Sequence, residues 1–210
     1  MIDFSYLNSY SNAENLRLYI LEHTLNIEEI TSKTLGYILN IDSQKSKSFG
    51  HGSTSLSFNQ KVQIIQDLKG LNTTDIKKLS CLMTIRNKFA HVLSIKTFQS
   101  LFENGKSGNT IKNELDKWYL NVHPGIANQD FEFRYKICFY YLFLDVNFIL
   151  SNKIGEHAME QGKKIAQLDF LNAIKNEVQN SIDGRELVAK VATRLREEID
   201  RYNKNNGIEL

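Results

Sequence analysis

An arginine, an asparagine and a histidine lie within six positions of one another near the middle of the chain. The stretch "LSCLMTIRNKFAH" (79–91) places Arg86, Asn87 and His91 at the end of an apolar run. An imidazole exchanges protons near neutral pH, and a guanidinium binds anions through parallel hydrogen bonds. These three residues are therefore either a by-product of helix packing or catalytic residues. Which of the two applies depends on how the surrounding helices position them.

The pattern around the trio predicts one helix from Asp75 to about Leu93, capped by Thr74. At about 100° per residue, the polar residues form a narrow stripe on this helix, while the apolar residues fill one broad arc. Asn87 and His91 are four residues apart on the stripe, so their side chains can touch. Arg86 instead projects into the apolar arc, roughly 140° from His91. The stripe consists of Ser80, Thr84, Asn87 and His91.

A guanidinium in an apolar arc needs a partner or a path to water, because burying it alone costs several kcal/mol. Three interpretations of Arg86 stay open. Its stem can pack while its head reaches solvent at the edge of a bundle. It can form a buried ion pair, for which Asp145, an acid in an otherwise apolar helix, is the best candidate. The arc can also pack on a second copy, or the helix can be distorted, so that Arg86 and His91 line a shared cleft.

The remaining sequence predicts an all-α fold. Helical spacings of apolar residues recur along most of the chain, and a single proline in 210 residues leaves few irregular connections. Residues 104–109 and the segment around Pro124 are expected to break the helices. We predict one domain over residues 1–210, a helical bundle with a core of about 12–160 and C-terminal helices over about 166–204. Within these limits, separate helices are expected near 130–159, 168–181 and 184–203.

Composition excludes several classes of protein. A net charge of +2 rules out a strongly basic nucleic-acid coat, although it permits a local basic site. The two cysteines, Cys81 and Cys138, lie in apolar runs and fit reduced core thiols of a cytosolic protein. No spacing of cysteine and histidine predicts a metal, and no cofactor is expected. The N-terminus does not resemble a signal peptide, and the apolar stretch 137–150 is too short and polar to span a bilayer. We expect a cytoplasmic protein.

The segment "RNKFAH" matches the R-x4-6-H motif of the HEPN superfamily of small α-helical proteins, with a polar residue directly after the arginine. More narrowly, "LSFNQKVQIIQDLKGL" followed by "DIKKLSCLMTIRNKFAH" resembles the mannitol operon repressor-like branch. The resemblance covers about residues 57–93. The flanking helices match only in being helical.

This resemblance implies a metal-independent endoribonuclease, a toxin or defence effector that acts on RNA as a homodimer. The motifs of the two copies would face each other, and the ribose 2′-hydroxyl would attack its own phosphorus. In this mechanism His91 would be the general acid or base, and Arg86 would hold the phosphate. Asn87 would orient His91 or bind the phosphate. Lys88 and Lys96 lie close to the motif in sequence and are candidates for binding RNA.

A second function fits the same resemblance. The repressor-like branch is named for gene regulation, and some members of the superfamily are non-catalytic. The alternative is thus a regulatory or protein-interaction module whose helices bind a partner protein. A cognate antitoxin or another regulatory protein is an expected partner under either function.

Overall fold

The computed structural model of this chain describes residues 13–50, 52–122, 124–179 and 184–206. The protein is 79% helical and has no strand in these ranges, so the predicted all-α fold is confirmed. A π-helical segment, Asp116–Leu120, continues the fifth helix. The helices are α1 Ala13–Ile38, α2 Phe58–Asp67, α3 Thr73–His91, α4 Phe98–Phe102, α5 Gly105–Leu115, α6 Pro124–Ala127, α7 Phe131–Gln179 and α8 Gly184–Asn206.

The chain divides into two compact units, Met1–Gly155 and Glu156–Leu210. The division falls inside α7. The first unit holds the apolar core, in which Tyr19, Ile85, Phe89 and Phe139 are inaccessible to solvent. In the second unit, the described part of α7 exposes large apolar side chains, namely Met159, Ile165, Leu168, Phe170 and Leu171.

Local signals at the helix ends determine where α2 and α3 begin. Ser57 caps α2, and Gln60 completes a capping box. For α3 the prediction was wrong by two residues: Asn72, not Thr74, is the N-cap. The Asn72 side chain accepts a hydrogen bond from the Asp75 amide at 2.9 Å, and the Asp75 carboxylate accepts from the Asn72 amide. Both residue types cap helices, so the reciprocal bond with Asp75 selects Asn72.

The predicted break at 104–109 is instead the start of α5. Gly105 has a positive φ of 68°, which turns the chain sharply after α4. Gly108 then lets α5 approach α4, because a Cβ at this position would lie 2.3 Å from the Leu101 carbonyl oxygen. The glycines that suggested a loop therefore serve a tight turn and a close helix contact. This places α5 beside α3, the helix that carries the motif.

Helix α7 is one helix of 49 residues where the sequence predicted two. Gly155 and Gly162 lie inside this helix. A glycine weakens a helix without ending it, and α7 contains no proline that would break it. By length and composition α7 could cross a membrane over Phe131–Asn176, so the stretch 137–150 belongs to a helix long enough to do so. What favours a core helix is burial within the first unit of Tyr135, Ile137, Cys138, Phe139, Leu142, Val146, Ile149 and Leu150.

Candidate active site

The exposure of α3 side chains follows the predicted stripe. Ser80 and His91 are exposed, and Thr84 and Asn87 are partly exposed. The opposite side of the helix is anchored in the core by Leu79, Leu82, Ile85 and Phe89. Leu93, which the projection placed in the apolar arc, lies beyond the end of α3 and is 80% exposed. The motif thus occupies the last two turns of a helix that its buried side holds in place.

Arg86 is partly exposed and is held by its neighbour in the motif. Its Nη1 donates a hydrogen bond to Oδ1 of Asn87 at 3.0 Å. Among the described residues, no carboxylate forms an ion pair with Arg86. An amide oxygen is neutral, so the guanidinium keeps its full charge and most of its donors. Of the interpretations left open, the structure favours an arginine that packs its stem and reaches solvent at the surface of the first unit.

Asp145 is not the partner of Arg86 that we expected. Its Oδ2 accepts from Lys78 Nζ at 2.6 Å and from the Tyr119 hydroxyl at 2.7 Å. Lys78 precedes Arg86 by eight residues, roughly 12 Å along the helix axis, so this pair lies near the start of α3 rather than at the motif. The carboxylate also contributes, after burial, to raising the pKa of Tyr119. This network ties α3 to α7 through Lys78 and does not include Arg86, Asn87 or His91.

His91 lies exposed in the last turn of α3. In the described part of the chain, no hydrogen bond or ion pair holds its ring, and none joins it to Asn87. The two side chains, which the spacing allows to touch, are thus not hydrogen-bonded to each other, and the Asn87 oxygen accepts from Arg86 instead. The structure joins Arg86 to Asn87 and leaves His91 one turn further along the same helix, with its ring free to meet a substrate.

Arg17 is a residue that sequence reasoning missed. Its Nη2 donates to the Val92 carbonyl at 3.0 Å and to the Ile95 carbonyl at 3.1 Å. These carbonyls follow α3 directly, so α1 holds the end of α3 and the loop beyond it and places a positive charge at the C-terminus of that helix. The sequence did carry one indication of this role: a charged residue lies between Leu16 and Tyr19, both of which are buried.

The two lysines near the motif differ. Lys88 Nζ donates to Oδ1 of Asn104 at 2.6 Å and ties α3 to the start of α5. Lys96 is exposed in the loop after α3, and its backbone amide donates to Ser100. Lys88 is thus committed to a structural contact, although its neutral partner leaves the charge uncompensated. Lys96 remains a candidate for binding a phosphate.

The side chains of the motif supply a guanidinium, an amide and an imidazole. Within the described ranges, no three histidine, cysteine or acidic residues cluster as a metal site would require. The thiols of Cys81 and Cys138 are buried, and burial raises the pKa of each to about 12, which makes both poor nucleophiles. A guanidinium, an amide and an imidazole at the surface can bind an anion and exchange a proton.

No family model, curated protein or solved structure matches this chain. The resemblance to the HEPN superfamily and to the mannitol operon repressor-like branch therefore stays a prediction, carried by the residues of α2 and α3.

Proposed function

We propose that this chain is a metal-independent endoribonuclease of the HEPN type, a toxin or defence effector that acts as a cytoplasmic homodimer. The observation that carries the proposal is the state of the motif. Among the described residues, the Arg86 side chain hydrogen-bonds only to the neutral amide of Asn87, and His91 is exposed one turn away. Had Arg86 been buried against a carboxylate, its positive charge would already be balanced and its hydrogen-bond donors occupied, so it could not bind a phosphate.

The proposed reaction needs only these groups. The 2′-oxygen attacks the adjacent phosphorus while the bond to the 5′-oxygen breaks, which yields a 2′,3′-cyclic phosphate and a 5′-hydroxyl. One imidazole removes the 2′-proton, and a protonated imidazole delivers a proton to the leaving oxygen. A dimer would supply both imidazoles, one His91 from each copy. The Arg86 guanidinium would stabilise the charge that develops on the phosphoryl oxygens.

Local electrostatics support this assignment despite the net charge of only +2. Arg86, Lys88 and Arg17 bring three positive charges to the last turns of α3 and the loop after it, and Lys96 extends them. The side-chain hydrogen bonds of Arg17, Arg86 and Lys88 within the described residues all go to neutral carbonyl or amide oxygens. A phosphodiester would therefore meet uncompensated positive charge at the motif.

The test is cleavage of RNA in the presence of EDTA. Purified protein is incubated with total RNA, and the ends of the products are examined. We expect EDTA-resistant cleavage with cyclic phosphate ends. His91→Ala should lower the rate about 10²–10⁴-fold, the usual contribution of acid–base catalysis. Arg86→Ala should lower it about 10²–10³-fold, as for loss of one charge-stabilising donor. His157→Ala and Arg194→Ala are matched controls outside the motif and should leave the rate unchanged.

Intact RNA under all conditions, with the folded dimer in hand, would overturn the nuclease. It would favour the second function, a non-catalytic regulatory module bound to a protein partner. Equal loss of activity in the control variants would show that the protein unfolds easily rather than that the motif is catalytic. A measurement of molecular mass in solution tests the homodimer separately, because a strict monomer cannot bring two copies of His91 together.

A further inference from the structure

The end of α3 that carries His91 lies between two buried side chains but buries none of its own. Phe89 before it and Ile95 after it are 0% and 1% exposed, whereas residues 90–94 are all partly or fully exposed. The last carbonyl groups of a helix also have no N–H partner within the helix, so helix ends fray unless other groups hold them. The position of His91 therefore depends on what fixes this short span.

The Arg17 guanidinium of α1 fixes the span through one nitrogen. Its Nη2 donates to the Val92 carbonyl at 3.0 Å and to the Ile95 carbonyl at 3.1 Å. The Ile95 amide donates to the same Val92 carbonyl at 3.1 Å, so this oxygen accepts two hydrogen bonds. Within the described ranges, no other side chain hydrogen-bonds to residues 90–94. The residue that follows His91 is thus held from a helix 75 residues earlier in the chain.

Helix α1 gives this bond a fixed base. Leu16, Tyr19 and Ile20 are buried on either side of Arg17, with 5% exposure or less, so the Arg17 backbone is anchored in the core. A charged donor makes a stronger hydrogen bond than a neutral one, and a positive charge at a helix C-terminus is favourable. Arginine at position 17 is therefore well suited to hold the end of α3.

The His91 ring depends on this backbone support. It is exposed, and no hydrogen bond or ion pair holds it in the described part of the chain, so its backbone determines where the imidazole lies. A general acid or base must come within about 2.6–3.2 Å of the atom with which it exchanges a proton. A displacement of about 1 Å can lower the rate about 100-fold. Movement of the backbone at Val92 would therefore impair catalysis without unfolding the protein.

We infer that Arg17 is a positioning residue for His91, on which it acts through Val92 and the turn to Ile95. The inference rests on the proposed ribonuclease function and adds to it a residue from outside the motif. Arg17 contacts neither the RNA nor the reacting atoms in this arrangement. Its loss therefore lowers kcat and leaves KM unchanged, because Arg86 still binds the phosphate.

The test compares variants of the full-length protein on a fluorescent RNA oligonucleotide, at a temperature where circular dichroism shows each to be folded. Arg17→Met keeps the packed stem and removes the donors, and it should lower kcat about 10–100-fold with KM within about twofold of wild type. Arg17→Lys keeps an ammonium that can donate to both carbonyls, and it should restore kcat to within about threefold. If Arg17→Met does not fold, Arg17→Gln replaces it and should lower kcat by at least about fivefold.

Arg134→Met is the matched control. Arg134 is also half-buried, and its Nη2 donates to the Gln129 carbonyl at 3.0 Å, next to the start of α7 rather than the end of α3. Its kcat and KM should stay within about twofold of wild type. A wild-type kcat in Arg17→Met overturns the positioning role and leaves the ribonuclease standing. A higher KM at unchanged kcat does the same, since Arg17 would then bind RNA. Equal losses in Arg17→Lys and Arg17→Met, or in the control, also overturn it.

Nuclear magnetic resonance of the histidine rings separates the inference from the proposed function, because it needs no cleavage. The chain has five histidines, and comparison with His91→Ala identifies the His91 signal. In Arg17→Met this signal should shift or broaden while the other histidine signals stay unchanged, and Arg17→Lys should restore it. An unchanged His91 signal overturns the inference whether or not RNA is cleaved. A changed signal in a protein that cleaves no RNA overturns the ribonuclease and keeps Arg17 as the residue that fixes His91.

Discussion

Arg86 is available for a phosphate only if Asp145 pairs with other residues. A double-mutant cycle measures the coupling free energy between Asp145 and each candidate partner. Asp145 accepts hydrogen bonds from Lys78 and Tyr119 at 2.6 and 2.7 Å. The Tyr119 side chain is buried, with 5% of its surface exposed, whereas the Asp145 side chain is 38% exposed. We therefore expect each pair, Lys78 with Asp145 and Tyr119 with Asp145, to couple in the free energy of unfolding, and Arg86 with Asp145 not to couple.

The magnitude follows from the type of bond. A hydrogen bond to a charged group is worth about 1.5–3 kcal/mol, and the exposure of Asp145 moves the value to the lower end. Tyr119→Phe should thus lower the free energy of unfolding by about 1.5 kcal/mol, with a coupling to Asp145→Asn of about 1 kcal/mol. For a chain of this size, the single change should lower the Tm by about 3–6 °C.

Unfolding in urea, followed by Trp118 fluorescence and by circular dichroism, gives these values. Lys78 lies 5.7 Å from the ring centre of Trp118, so this fluorescence reports on the network directly. The cycle of Arg86→Ala with Asp145→Asn is the control and should give a coupling within about 0.3 kcal/mol of zero. A coupling of 1 kcal/mol or more in that control, with none between Lys78 and Asp145, would refute the conclusion that Arg86 does not pair with Asp145.

Two further predictions concern the helix that carries the motif and the core beneath it. Asn72→Ala should lower the free energy of unfolding by about 1 kcal/mol through loss of the α3 cap, whereas Thr74→Ala should change it little; the reverse order in urea unfolding would contradict the assigned cap. Stability should also fall as the pH rises above 9, because burial raises the pKa of the Cys81 and Cys138 thiols to about 12, so the unfolded chain loses protons that the folded chain keeps. Each thiol contributes up to about 1.4 kcal/mol per pH unit between pH 9 and 12, and urea unfolding at pH 8 and 10.5 should show a smaller loss for the Cys81→Ala, Cys138→Ala double variant. Equal losses in both proteins would contradict this assignment.

Sequence patterns were informative where the cause of the structure is local. Apolar residues at helical spacing predict a helix from near Ala13 to about Leu39, and α1 spans Ala13–Ile38. Ser57, a residue type that caps helices, lies directly before α2 and caps it. The stripe on α3 was also confirmed by the exposure of its residues, because the position of a side chain around a helix follows from 3.6 residues per turn. These features depend on residues within one or two helical turns of each other, and such residues are also close in sequence.

Patterns failed where distant segments compete. Gly105 and Gly108 suggested a loop, but the approach of α5 to α4 uses both within the fold. The sequence predicted separate helices near 130–159 and 168–181, but α7 continues through the gap as one helix.

From its sequence alone, this protein is an all-α chain whose α3 presents Ser80, Thr84, Asn87 and His91 on one side, because helical geometry depends only on order along the chain. Only the tertiary structure decided that Asp145 pairs with Lys78 and Tyr119, that Arg17 holds the end of α3, and that a groove lies between α3 and α5. The physical reason is distance along the chain. These pairs are separated by 26 to 78 residues, and many acids and bases could have met instead. Which of them do so depends on how whole helices pack, a property that no short stretch of sequence carries.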